Sequence, residues 1–114
     1  MNVPMTDSTY LILLSLLEER HGYGIMKVIE DTSTGQIKIG PASMYTILKK
    51  LVDSGDISLK QDINRKKMYV ITNLGLEKLK LEVERRQLFA EVGEALLKGN
   101  SARGIIEESD FNEK

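Results

Sequence analysis

The sequence GPASMYTILKKLVDSG, residues 40–55, predicts one helix whose start and end are both marked. Pro41 suits the first turn of a helix, where its missing N–H has no partner to lose, and Gly55 suits the left-handed residue after a helix end. Between them, apolar residues recur at the spacing of one helix face: Met44, Ile47, Leu48, Leu51 and Val52. We therefore expect this stripe to face a hydrophobic core.

The opposite side of the same helix carries groups that can donate hydrogen bonds. They are the hydroxyl, phenol and ammonium side chains of Ser43, Tyr45, Thr46, Lys49 and Lys50. Phosphates and base edges accept hydrogen bonds from such groups. We interpret Ser43 and Thr46 as candidate base contacts and the others as candidate phosphate contacts. The alternative is an ordinary solvated helix face with two lysines.

A β-hairpin with a basic tip is predicted after this helix. Apolar residues recur at every second position on either side of residues 62–66: Ile57, Leu59, Tyr69 and Ile71. The tip supplies three further candidate phosphate contacts: Arg65, Lys66 and Lys67. Residues 43–69 hold six basic and three acidic residues, although the whole chain has a net charge of −1. Such a local patch can bind a polyanion because salt screens charges more than about 8 Å away.

The composition excludes several classes of protein. With 114 residues, the chain is expected to form one domain, near the size at which a partner subunit aids stability. It has no cysteine and one histidine, which excludes disulfides, thiolate sites and imidazole clusters. We expect neither an enzyme, a metal site nor a cofactor, because the sequence has no phosphate-binding glycine loop and no cleft motif of paired carboxylates. The apolar run at 10–17 is too short for a membrane helix, so a cytoplasmic protein is expected.

Two helices are predicted before residue 36. Thr6 or Asp7 can cap the first, which is expected to run to about Arg20 and is apolar nearly all round: Ile12, Leu13, Leu14, Leu16 and Leu17. Its second face must be covered by a partner subunit or by a later helix of the same chain. The second helix is expected from about Tyr23 to Thr32, and its buried side is expected to consist of Ile25, Met26 and Ile29. His21, just before it, is interpreted as a turn and capping residue. Residues 36–39 are expected to form a brief strand or an extended link.

A long last helix is predicted from about Asn73 to Lys98, capped by Thr72 and ending at Gly99. One apolar stripe along it consists of Leu76, Leu79, Val83, Ala90 and Leu97, and a second consists of Leu74, Leu81, Leu88, Val92 and Leu96. We expect one stripe to pack on its own domain and the other on a second subunit. The predicted organisation is a DNA-binding domain at 1–72, a dimerisation helix at 73–98 and a disordered tail at 99–114.

The predicted order of elements is helix, helix, short strand, helix, hairpin and long helix, which is the order of a winged helix-turn-helix. The predicted fold class is mainly α with a small β-hairpin, plus a long C-terminal dimerisation helix. In this fold the third helix lies in the major groove of DNA, and the hairpin, or wing, touches the backbone or the minor groove.

The chain resembles the PadR-like transcriptional regulators over about residues 6–98. The resemblance rests on LILLSLL at 11–17, HGYGI at 21–25, GPASMY at 40–45 followed by LKKL, and RKKMY at 65–69 followed by Thr72 and Gly75. It implies a homodimeric repressor that binds double-stranded operator DNA, and it matches the short subfamily with one long C-terminal helix. It also implies release from DNA by a small aromatic or drug-like molecule bound near the dimer interface.

The resemblance also guides the assignment of further sites. The predicted dimer interface consists of Leu13, Leu16, Leu17, Leu81, Leu88, Val92 and Leu96, and the predicted effector contacts are Leu14, Leu17, Phe89 and Val92. Well-known short members hold planar ligands with a tryptophan of the last helix. This chain has no tryptophan, and Phe89 lies in a comparable region, where packing in the interface is the simpler interpretation. Tyr23 also matches the family's pattern, and we interpret it as a structural residue that braces the second helix.

Two other functions compete with a repressor. A winged domain that binds another protein would present apolar or acidic residues on the exposed side of the third helix, whereas this chain presents basic and hydroxyl groups. A DNA-binding protein without sequence preference usually has a higher net positive charge. We therefore favour the repressor.

Overall fold

The computed structural model describes the backbone of residues 3–102 and the side chains of residues 3–99. Within this range the chain forms four helices and three strands: α1 (Asp7–Ser15), β1 (Arg20–His21), α2 (Gly22–Thr32), α3 (Pro41–Asp53), β2 (Ile57–Gln61), β3 (Lys67–Ile71) and α4 (Asn73–Ala102). The strands form one antiparallel sheet in the order β1-β3-β2. The predicted fold class, a mainly helical winged helix-turn-helix with a long last helix, is confirmed.

Both predicted ends of α3 are correct. Pro41 is its first residue, and Gly55 follows its end with a φ of +81°, a backbone conformation that glycine adopts without strain. The N–H of Asp56 donates to the Leu51 carbonyl at 2.9 Å, which closes the last turn. Met44, Leu48 and Leu51 of the predicted stripe are buried, and its two other members are partly buried. Residues 36–39 form a link without a strand.

The first helix is shorter than predicted. The Thr6 hydroxyl caps its start by accepting the Thr9 N–H, but the helix ends at Ser15 rather than near Arg20. The carbonyl of Leu16 instead accepts the N–H of Ile71 at 2.9 Å, and Arg20 pairs with Tyr69 as part of β1. The prediction was wrong here because β3, far away in sequence, supplies hydrogen-bond partners that compete with the helix.

The hydrophobic core combines α1, α2, α3, the sheet and the start of α4. Its buried apolar residues are Ile12, Leu13, Leu16, Ile25, Ile29, Met44, Leu48, Leu51, Ile57, Tyr69 and Leu79, whereas Met26 is only partly buried. Leu13 and Leu16 are 1% and 0% exposed, so one protomer already covers their side chains. This corrects the predicted dimer interface, which included both residues.

The last helix begins as predicted and continues further than predicted. The Thr72 hydroxyl accepts the N–H of Gly75, and the helix passes through Gly99, its predicted end, to Ala102. A glycine inside a helix costs only about 1 kcal/mol relative to alanine, so it need not end one. Residues 103–114 of the predicted tail lie outside the described residues.

The chain divides into two compact units, Met1–Glu82 and Val83–Lys114. The first unit therefore includes the start of α4, ten residues beyond the predicted boundary at 72. The reason is burial, since Leu79 belongs to the core and Glu82 is also buried, with its carboxylate accepting the N–H of Met5 at 3.3 Å.

Among residues 3–102, no helix has both the length and the apolar character needed to cross a bilayer.

The start of α4 is attached closely to the turn after α3. The Thr72 hydroxyl lies 2.7 Å from the Gly55 carbonyl oxygen, and Lys78 Nζ lies 2.9 Å from Asp56 Oδ1. Gly75 has no room for a side chain, because a Cβ there would collide with the Asp56 carbonyl oxygen and lie 3.0 Å from Ile71 Cγ1. This contact fixes where the wing leaves α3 and where it enters α4.

We expect Gly75→Ala to lower the free energy of unfolding by about 1–3 kcal/mol, because the backbone atoms that its Cβ meets cannot move aside cheaply. Gly24→Ala is the matched control. Gly24 is likewise the third residue of its helix, and its nearest contact would be an ordinary 3.7 Å to Arg20 Cβ. This control should raise the stability by up to about 1 kcal/mol. Urea unfolding followed by circular dichroism measures both, and equal stabilities would contradict the packing described for Gly75.

Candidate nucleic-acid interface

All eight side chains predicted to contact DNA are exposed: Ser43, Tyr45, Thr46, Lys49, Lys50, Arg65, Lys66 and Lys67. The first five lie on one side of α3, which we call the α3 arc, and the last three lie at the tip of the β2–β3 wing. The α3 arc also includes Ala42, which was not predicted as a contact from the sequence. Its methyl group lies near the middle of the arc. Because this side chain is small, the helix backbone can approach a groove closely.

One flank of the α3 arc meets the start of α1. Ser43, Thr46 and Lys50 line a shallow cleft of about 590 Å³ together with Thr6 and Thr9. The hydroxyl of Thr46 donates to the carbonyl of Ala42 at 3.0 Å, so it must rotate before it can donate to a base. This flank combines several hydroxyl groups with one ammonium group.

The other flank meets the wing and the start of α2 in a second cleft of about 650 Å³, which we call the wing cleft. Tyr45 of the α3 arc lines it together with Tyr23, Lys66 and Lys67. The Tyr23 side chain is 72% exposed, so it presents its phenol to solvent and braces little of the second helix. Its predicted structural role is therefore wrong, and Tyr23 joins the candidate contacts.

Gly22 explains how Tyr45 reaches the wing cleft. A Cβ at position 22 would collide with the Tyr45 hydroxyl and lie 3.0 Å from Met44 Cε. Glycine at this position therefore lets the phenol ring of α3 pack against the first turn of α2. Tyr45 stays about half exposed in this position.

The carboxylate of Asp62 organises the tip of the wing. Its Oδ1 accepts the N–H groups of Asn64 and Lys66 at 2.8 and 2.9 Å, and the backbone N–H of Asp62 donates to the Lys66 carbonyl at 3.0 Å. The hydrogen bond from Lys66 N–H lowers the pKa of Asp62 below its usual value, and the Asn64 N–H and the positive charges of His21 and Lys66 act in the same direction. The carboxylate thus stays ionised and holds a tight turn in which Arg65 has a φ of +63°.

His21 connects this turn to the start of α2. Its Nδ1 lies 3.0 Å from the carbonyl oxygen of Lys67, and its Nε2 lies 3.3 Å from Asp62 Oδ2. His21 occupies the N-cap position of α2, as predicted, but its side chain makes no capping hydrogen bond. The contact with the wing could not be predicted from the sequence because its partners lie more than forty residues away.

Two of the cations in this region have partners in the protomer. Lys49 Nζ lies 3.2 Å from Asp53 Oδ2 on the surface of α3, and Lys60 Nζ of β2 lies 2.7 Å from Glu19 Oε2. Exposed pairs of this kind contribute at most about 1 kcal/mol, so a phosphate can replace the carboxylate at Lys49. The wing also presents Ile63, which is 98% exposed and was not selected from the sequence.

The predicted effector contacts are divided between the two compact units. In the first unit, Leu14 lines an apolar cleft of about 490 Å³ between α1 and α2, and Leu17 is exposed. In the second unit Phe89 and Val92 are exposed, and the Arg85 guanidinium carbon lies 5.1 Å from the centroid of the Phe89 ring. Among the described residues, no group of three histidine, aspartate or glutamate side chains could hold a metal ion.

The exposed members of the predicted dimer interface belong to α4 and to the end of the apolar run at 10–17. They are Leu17, Leu81, Leu88, Val92 and Leu96, each about half exposed. Four of them share one stripe of α4, and large apolar side chains at this spacing commonly mark a helix-packing surface.

Comparison with known proteins identifies a family. The family model of the transcriptional regulator PadR-like family matches residues 11–81. A transcriptional regulator from Clostridium thermocellum has a similar structure, with a TM-score of 0.69 and 24% identity over 77% of this chain and 86% of that chain. A PadR family transcriptional regulator from Eggerthella lenta has a TM-score of 0.65 and 27% identity over 77% of this chain and 80% of that chain.

Bacillus subtilis PadR in complex with operator DNA has a TM-score of 0.60 and 32% identity. The match covers 68% of this chain and 46% of that one, so this chain spans less than half of that protein. No relative was found among curated proteins. Because the family model covers more than half of the sequence, the chain belongs to the PadR-like family of transcriptional regulators.

Proposed function

We propose that this protein is a homodimeric repressor that binds double-stranded operator DNA. The α3 arc lies in the major groove, and the wing lies on the neighbouring backbone. The single observation that carries the proposal is the exposure of all eight predicted contacts on α3 and the wing, within one compact unit. Family membership makes the protein a transcriptional regulator, and the operator complex of Bacillus subtilis PadR supports DNA as its ligand.

The chemistry of the interface suits two kinds of DNA contact. The ammonium and guanidinium groups of Lys50, Arg65 and Lys66 attract phosphates and release counterions, which gives affinity without sequence preference. The small side chains of Ala42, Ser43 and Thr46 bring the helix close to base edges, where hydroxyl groups can donate or accept. The first set therefore orients the protein on the duplex, and the second reads the sequence.

Dimerisation in this proposal uses the exposed leucine and valine stripe of α4, and Leu17 is a further candidate contact between subunits. Two protomers would place two copies of α3 on half-sites about one helical turn, or about 34 Å, apart. A small aromatic or drug-like effector bound near this interface would release the DNA, with Leu14, Leu17, Phe89 and Val92 as its candidate contacts. We also propose that the protein is located in the cytoplasm, where operator DNA is accessible.

The proposal is tested by fluorescence anisotropy with a labelled duplex from the region upstream of the protein's own gene, against a scrambled duplex, at low and at physiological salt. A preference for the native duplex that survives physiological salt supports a site-specific regulator. If the protein binds both duplexes equally at low salt and neither at physiological salt, it is a DNA-binding protein without sequence preference. Absence of binding would favour a domain that binds another protein.

We expect Lys49→Ala to weaken binding to native and scrambled duplexes alike, because a phosphate contact is indifferent to sequence. The slope of log affinity against log salt should become shallower by about 0.9 for each phosphate that the variant no longer neutralises. Lys80→Ala is the matched control, since Lys80 is an exposed lysine on α4 and the change in charge is the same. A slope that Lys49→Ala leaves unchanged, or that Lys80→Ala changes equally, would exclude Lys49 as a phosphate contact.

We expect Leu88→Glu to convert the dimer into monomers, because it places a charge in the centre of the apolar stripe that the proposal buries between subunits. Gln87→Glu adds the same charge at the neighbouring, exposed position, outside the stripe, and should leave the dimer intact. Sedimentation velocity at several concentrations distinguishes the two. If Leu88→Glu remains dimeric, this apolar stripe of α4 is not the dimer interface.

A further inference from the structure

We propose that His21 is a positioning residue for DNA binding, because its doubly protonated ring ties the wing to the start of α2 and so places Lys66 and Lys67 beside Tyr45 in the wing cleft. The role in DNA binding rests on the proposed function. The tie itself is a property of the protein without DNA. It also makes the wing sensitive to pH.

The two contacts of the imidazole suit its charged form. Nδ1 lies 3.0 Å from the Lys67 carbonyl oxygen, which can only accept a hydrogen bond, so Nδ1 must carry a proton. Nε2 lies 3.3 Å from Asp62 Oδ2, an oxygen of an ionised carboxylate, which also only accepts. A neutral imidazole has a single N–H and would turn a lone pair toward one of these oxygens. The imidazolium form can donate from Nδ1 to the Lys67 carbonyl and present a positive charge to the Asp62 carboxylate at the same time.

The Asp62 carboxylate carries the effect of His21 into the wing turn. One of its oxygens pairs with His21, and the other accepts the N–H groups of Asn64 and Lys66. The same imidazole also contacts the Lys67 carbonyl, at the first residue of β3. Loss of the second proton from His21 would therefore loosen both sides of the loop that presents the basic residues.

Other charges around the ring set the direction of the pH effect. Asp62 pairs with the ring, and the other charged or titratable residues near it line the wing cleft together with His21: Glu19, Arg20, Tyr23, Tyr45, Lys66 and Lys67. The cations among them oppose a charge on the imidazole in the protein alone. DNA phosphates bound at the cleft would offset that repulsion and favour the imidazolium. Since the bound state then holds the proton more firmly, affinity for DNA should fall as pH rises.

The test uses variants that keep one of the two ring contacts. The side-chain amide nitrogen of His21→Asn can take the place of Nδ1 and donate to the Lys67 carbonyl, and that of His21→Gln can take the place of Nε2 and face Asp62. Neither variant titrates near neutral pH. Anisotropy with the native upstream duplex at about pH 6 and about pH 8 brackets the range in which imidazole changes charge. His21 is the only histidine of the chain, which simplifies the interpretation.

We expect the affinity of the unmodified protein to fall by about two- to fivefold between the two pH values, the amount that an exposed ion pair contributes. Both variants should lose this dependence, and at about pH 8 their affinities should match or exceed that of the unmodified protein. A flat pH profile for the unmodified protein, or the same profile in His21→Asn, would overturn the positioning role.

A second measurement separates this proposal from the proposed function. The backbone amide resonances of Asn64 and Lys66 report on the turn that Asp62 holds. In the protein without DNA they should move between about pH 6 and about pH 8, and in His21→Asn they should stay fixed. Resonances that ignore pH in the unmodified protein would overturn the tie itself. If the resonances move but no duplex binds at any pH, the proposed function fails, and the role of His21 in DNA binding fails with it.

Discussion

The burial of one stripe of α3 determines what the rest of the molecule can do. Met44, Leu48 and Leu51 are inserted among α1, α2 and the sheet, and this packing fixes the rotation of the helix about its axis. A different rotation would expose these residues at about 1.5–3 kcal/mol each. The exposed side is therefore fixed as well, and it is the side that carries the hydroxyl and ammonium groups. Recognition chemistry on α3 thus depends directly on the hydrophobic core.

The position of the wing depends on contacts at both of its ends. At its base, the hydroxyl of Thr72 and the close packing of Gly75 on Asp56 attach the end of β3 and the start of α4 to the turn after α3. At its tip, Asp62 holds the turn and His21 connects it to α2. The two-residue strand β1 joins these regions by pairing with β3. A hairpin held at both ends can present its cations at a defined distance from α3.

Features encoded by local sequence were predictable, and features created by distant contacts were not. Pro41 and Gly55 mark the ends of α3 because each affects only its own backbone, and the two strands of the wing follow from a period of two. By contrast, β1 has two residues and no period, so it exists only because β3 pairs with it. The end of α1 at Ser15 has the same cause.

In the candidate site, the exposed residues of α3 follow from its apolar stripe. The ion pair between His21 and Asp62, however, gives no signal in the sequence, since neither residue is unusual in its own segment. Leu13 and Leu16 were assigned to the interface because α1 is apolar nearly all round, and sequence alone does not say which of its faces the protomer itself covers.

The position of α3 on DNA can be mapped by cleavage from a single attached reagent. The chain has no cysteine, so Ala42→Cys introduces one thiol on the α3 arc, to which an iron chelate that cleaves nearby DNA can be attached. We predict strand cuts inside the bound site, in two clusters about one helical turn apart. The same reagent at Lys80→Cys on α4 should cut weakly or elsewhere. Cuts of equal strength and position from both variants, or none from Ala42→Cys under conditions where the duplex is bound, would contradict the placement of α3 in the groove.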